Sequence, residues 1–226
     1  MSTSFDPAAV SSLAEVLAQH LGALTFVPAA DLPLWLPDLG VPEGWKAGAP
    51  ERAIVTRMLV RRIHSSDHWD ACEVLNLYRV PGVIPESLVL NHVDRTLRDS
   101  GADAIESHRI EIPLQYNVIA ARASGVLSVR DRAVRSQYTD YAVNSAAGGA
   151  LIEQTLVVVA DAHIQLTDEL TALSTNLERA LLISIDRAPR PQQTDTSATA
   201  IVDTAHDSES VALSRTPTNR HSLGAP

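Results

Sequence analysis

Apolar residues recur along this chain with two different periods. From Asp6 to Gly22 they fall at helical spacing, with Val10, Leu13, Ala14, Leu17 and Leu21 on one face. Asp6 suits the N-cap, Pro7 the first helical position, and Gly22 a left-handed stop. From Leu114 to Asp161 the period drops to two. This block reads as three long strands near Gln115–Val129, Arg132–Val143 and Leu151–Ala160, joined by turns at Arg130–Asp131 and Asn144–Gly149. In the second strand Val134, Ser136, Tyr138 and Ala142 share one face, and Arg135, Gln137, Thr139 and Tyr141 share the other. In the third, Ile152, Leu156 and Val158 oppose Glu153, Thr155 and Val157. Such alternation fits an antiparallel sheet with at least one face covered. Helical spacing returns over Thr167–Ser184, with Thr167 as N-cap and Asp168 and Glu169 in the first turn. Leu170, Leu173, Leu177, Ala180 and Leu181 form its apolar face, which should lie across the sheet and seal the core.

Between the first helix and the three-strand block, Val27–Pro50 carries prolines too often for helix or central strand. Trp35 and Trp45 are expected to fold down as anchors of this arm; exposed, they would instead mark a partner surface. Ile54–Ile63 and Ala71–Val80 read as strands flanking the polar turn His64–Asp70, and Pro81-Gly82 ends the second. Pro85–Ser100 reads as a helix with Val89, Val93, Thr96 and Leu97 inward and Gly101 as its stop. A short strand, Ala104–Ile112, follows and bends at Pro113. The fold class is therefore α+β, an antiparallel sheet flanked by helices. Residues 1–24 are expected to form an amphipathic helix, tethered by the proline-rich arm, that docks on its own domain or, as the alternative, serves as a docking or dimerisation helix, and 25–187 the main domain. Residues 188–226, rich in Pro, Thr, Ser, Ala, Asp and Gln, are expected to form a disordered tail.

Charge narrows the function. The chain has 226 residues and a formal net charge of −9, against the basic surface that nucleic-acid binding needs. Of its 18 basic residues only Lys46 is lysine. No segment is long and apolar enough to span a bilayer, and the N-terminus lacks the basic region and unbroken apolar run of a secretory leader. The cytoplasm is the expected location. The single cysteine, Cys72, excludes an intramolecular disulfide and a cysteine-cluster metal site.

Catalytic and cofactor motifs are absent from the sequence. His64 and His68 have i, i+4 spacing, with Asp67 and Asp70 beside them, but in a turn that spacing fixes no geometry. His108 and His163 are the distant histidines that would have to join them. No G-x-S-x-G elbow, G-x-G-x-x-G or phosphate loop occurs. Ser124-Gly125 falls inside a strand, where the glycine is expected to mark a bulge. Cys72 reads as a buried apolar thiol. Cofactors and metals are therefore not expected. Arg122, Arg130, Arg132 and Arg135 cluster around one hairpin turn; joined by Arg57, Arg61 and Arg62 they would form a positive patch for an acidic segment or an anionic ligand. The alternative is a solvated sheet edge whose charges prevent pairing between molecules.

The succession of Val41-Pro-Glu-Gly-Trp45, a strand closing on Val80-Pro-Gly82, the helix Pro85–Ser100 and the block Tyr116–Leu182 resembles the LpqN family of mycobacterial envelope proteins over about Leu24–Ile185. The resemblance implies an α/β/α sandwich like that of the photosystem subunit PsbP and of a Ran-binding import factor. It implies no catalytic residue. Proteins of that family typically carry a signal peptide and often a lipid-attachment cysteine. Here an amphipathic helix stands first and Cys72 lies in a strand, so envelope anchoring does not carry over.

Two functions follow as expectations. One is a non-enzymatic adaptor, accessory or chaperone-like module that binds a protein partner through Val10, Leu13, Leu17 and Leu21 or through the arginines, with a second copy of the chain as one such partner. The other is a small-ligand or lipid-binding domain, or an enzyme with an unrecognised site, built around a cavity between helix and sheet.

Overall fold

The computed structural model describes residues 12–28, 31, 33, 39–48, 55–63, 68–129 and 132–187. Among them eight strands join in one antiparallel sheet. These are β1 (Thr25–Phe26), β2 (Trp45–Ala47), β3 (Arg57–Arg61), β4 (Ala71–Val80), β5 (Asp103–Ile110), β6 (Val118–Val129), β7 (Arg132–Ser145) and β8 (Gly148–Val159). Their order is β2-β3-β4-β8-β7-β6-β5, and β1 pairs with the end of β4 that β3 leaves uncovered. The helices are α1 (Leu13–Leu21), α2 (Glu86–His92), α3 (Arg95–Asp99) and α4 (Ala160–Arg187).

Alternation gives the sheet two apolar faces. On one, Ala121, Ala123, Ala142, Leu151 and Val80 pack with Leu13, Ala14 and Leu17 of α1 and with Val89, Val93 and Leu97 of the α2–α3 layer. On the other, Leu177 and Leu181 of α4 meet Leu75, Leu77, Ala120, Tyr141 and Ile152, while Leu166 and Leu173 meet Trp45, Leu59, Leu156 and Val158. Helices thus cover both faces, and the α+β sandwich expected from the pattern is the one observed.

Several boundaries differ from expectation for local reasons. Asp6 and Val10 lie outside the described residues, and the cap of α1 is Ser12. Its extended backbone and its reciprocal bonds with Glu15 make a capping box. α4 does not begin at Thr167. It follows β8 without a loop, and the Thr167 hydroxyl donates to the His163 carbonyl from inside the helix. The helix expected over Pro85–Ser100 is two, because Asp94, at φ −95° and ψ 1°, turns the chain between them. The second hairpin turns at Ala146–Ala147, since Ser145 and Gly148 already pair. The short strand β2 lies in the arm read as loop, and β1 just ahead of it. The irregularity expected at Gly125 lies on the facing strand, where β5 slips register between Asp103 and Glu106 with Ala104 at φ 50°. Gly125 itself stays in register with Ser136; a Cβ there would press on Ala102, the Asp103 carbonyl and Leu97.

Trp45 is buried, as an anchor should be, and Trp35 lies outside the described residues. The Trp45 indole N–H donates to Glu169 Oε2 at 2.7 Å, and Arg61 grips both oxygens of that carboxylate at 3.0 and 3.2 Å. Gly44, at φ 78°, precedes the tryptophan because a side chain there would fall on the Arg61 guanidinium. The tail from Ala188 lies outside the described residues, as does His64. No helix among the described residues is long and apolar enough to cross a membrane.

Candidate functional site

α4 packs on β8 and β7 and leaves a gap beside it over part of β6 and β7. The gap is a cleft of about 470 Å³. Its floor is the face that the sequence groups as Arg135 and Gln137, joined by Arg122, Ser124 and Val126 of β6 and by Leu156 and Val158 of β8. Its wall is one side of α4, running His163, Thr167, Thr171, Ser174 and Glu178 at helical spacing, and Glu106 of β5 forms the outer rim. The apolar stripe of α4 sits beside this polar one, so the same helix seals the core and lines the cleft.

Polar groups on the floor are held in place from below. Gln154 donates to Glu73 Oε1 at 2.8 Å, Ser174 donates to Gln154 at 3.2 Å, and Gln137 donates to Ser174 at 3.2 Å. Glu73 is 1% exposed and is balanced by Arg57 at 3.2 Å. Burial nevertheless raises the Glu73 carboxyl above its ordinary value, with Arg57 and Gln154 opposing. The relay therefore runs from β3 to the cleft and fixes the Gln137 and Ser174 side chains there.

Arg122 is the other anchored group. Its Nε donates to Thr139 Oγ1 at 3.1 Å, and among the described residues no carboxylate lies within ion-pairing distance of its guanidinium. It leans toward the Tyr141 hydroxyl, which is buried and holds no hydrogen bond of normal geometry. Burial and Glu178 push that hydroxyl up to about 12, with Arg122 acting against them. At the other end of the cleft burial, then Arg135, holds the His163 imidazole below its ordinary value, so it is neutral at pH 7.

The positive patch expected from the sequence is smaller than its seven arginines. Arg122 and Arg135 share the cleft, and Arg132 stands exposed near the hairpin tip. Arg130 lies outside the described residues. Arg57 and Arg61 do not join, because β4 and β8 separate β3 from β7 by about 14 Å of sheet and each is paired with a carboxylate. On α1, Leu13 and Leu17 are buried in the core of their own chain and Leu21 packs against it, so these residues are covered in cis, as the reading of a helix docked on its own domain has it. Val10 is outside the described residues. Of the histidines, His68 is exposed before β4, His108 lies on edge strand β5, and His163 is in the cleft. Cys72 is buried, its thiol pushed up to about 11 by burial and by Glu73. Gln137, Ser174, Thr171, Glu178 and Tyr141 carry no motif; the small polar residues repeating along α4 beside its leucines were the available signal.

Comparison with known proteins adds a fold. No family model matches the chain, and no curated protein matches its sequence. Among solved structures it is similar to LpqN, involved in cell envelope biogenesis of Mycobacterium tuberculosis, with a TM-score of 0.54, 15% identity, and 74% of this chain covering 95% of that one. A STAR-related lipid transfer protein from Xanthomonas axonopodis is more distant, at TM-score 0.23 and 11% identity over 64% of this chain and all of the other.

Proposed function

With the LpqN-like fold as premise, we propose that this chain is a binding module whose site is the cleft between α4 and the sheet. The observation that carries this reading is the cleft itself. At about 470 Å³ it falls in the size range of small-molecule sites. Its polar groups are positioned by buried partners, as a selective site requires. Burial of Leu13 and Leu17 in cis weakens the adaptor reading, which had rested on that stripe.

Native mass spectrometry of freshly purified full-length protein tests the proposal. The wild type is expected to carry a small molecule above its 24.3 kDa chain mass. Thr171→Trp, which fills the cleft from the exposed side of α4, is expected to lose it while keeping the fold. An adduct that survives this substitution, or a wild type that carries none and takes up none from a small-molecule library, would refute the assignment.

A further inference from the structure

We propose that the cleft selects an amphiphilic organic anion, its carboxylate or phosphate head held by Arg122 and its short apolar body lying along the sheet toward Arg135. The inference rests on the cleft's being the binding site and adds the chemistry of what it takes. Arg122 is a prepared donor. Thr139 fixes its Nε, and the guanidinium lines the cleft, where its Nη pair is suited to a bidentate oxyanion.

The floor becomes apolar toward Arg135. Leu156 lies one register step beyond the Arg122–Thr139 pair, beside Ser124 and Gln137, and Val126 and Val158 flank Arg135 one step further, with Leu170 of α4 lining the same cleft. Thr139, paired with Arg122, and Arg135 are four residues apart on β7, about 13 Å of strand, which matches an extended chain of eight carbons or so. Glu106 and Glu178 line the same cleft and balance its two arginines. A polyanion therefore gains nothing from the overall field, and one anionic head is what the local geometry favours.

The test is an amide NMR titration of the full-length protein with sodium octanoate, octyl phosphate and 1-octanol. Octanoate or octyl phosphate is expected to shift cleft resonances and to bind at least about tenfold more tightly than octanol, the fold-change of one charge-assisted contact. Whichever of the two binds better identifies the head as carboxylate or phosphate. Arg122→Gln is expected to abolish that preference and leave octanol binding unchanged. Should that variant fail to fold, Arg122→Lys serves, expected to weaken the anion several-fold by losing the fork. Equal binding of octanol and the anions, indifferent to Arg122, would overturn the inference and leave the cleft as a binding site. No cleft shifts with any probe at millimolar concentration would overturn the inference alone, the binding reading being decided by the native mass spectrum.

Discussion

Asp140 on β7 and Glu153 on β8 are direct cross-strand neighbours, both nearly inaccessible to solvent. Burial raises both carboxyls, and the Glu153 charge raises Asp140 further, well above its ordinary value. The Ala14 N–H at the start of α1 and the Tyr78 hydroxyl pull Glu153 part of the way back, leaving it at about 7, while Glu15 acts the other way. Tyr138, also raised by burial, completes the titratable groups around the pair. Because both carboxyls are raised on folding, their stabilising effect is complete below the ordinary carboxylate range. It is lost as pH climbs through about 7. Stability by urea unfolding is therefore expected to fall between pH 5.5 and 8. His163, held low, acts in the opposite sense near its ordinary value of about 6.5, so the diagnostic quantity is the difference between wild type and Asp140→Asn. The variant should show a flatter profile; an unchanged slope would place the pH dependence elsewhere.

α1 shows what an element's pattern can and cannot disclose. Its stripe was readable from spacing, and Leu13 and Leu17 do point inward. The start of the described helix is written in Ser12 and Glu15, whose capping box the apolar spacing did not single out, and Asp6-Pro7 lies outside the described residues. Leu17→Ala is expected to cost about 2–5 kcal/mol by chemical denaturation, the range for a fully buried leucine, with the oligomeric state by light scattering unchanged. Ser12→Ala is expected to cost about 1 kcal/mol through the lost cap. If Leu17→Ala changed association and left stability alone, the stripe would face a partner after all. The α4 boundary was less legible because β8 passes into helix with no glycine, proline or cap at the junction. The two- and three-residue strands β1 and β2 are too short to show any period. The cleft was half legible: alternation put Arg135, Gln137 and Thr139 on one face, but the angle at which α4 leaves that face open is a tertiary fact.

At the scale of the molecule the sheet joins two stretches of chain that are far apart in sequence. β6, β7 and β8 are successive hairpins with α4 attached directly, whereas β4 finds β8 through pairs such as Ala71 with Val158 and Val80 with Gly149. Local pairings close cheaply and distant ones late, so the hairpins and α4 are expected to assemble first in refolding. Ile152→Val, within β8, should then slow folding, and Leu59→Ala, out on β3, should mainly speed unfolding; stopped-flow chevrons separate the two. Equal effects on both limbs would argue against this order. The ribosome, however, delivers the chain from the other end. While β4 emerges it has β1 and β3 to pair with, but the partner for its remaining edge and the helix over Leu75 and Leu77 are still unmade. The nascent chain thus presents an unpaired strand edge and an apolar face until residues 148–187 have been translated. A fragment ending at Ala147 is expected to aggregate on expression, and one that stayed soluble and folded would show that the first half holds itself together without the strand that splits the sheet.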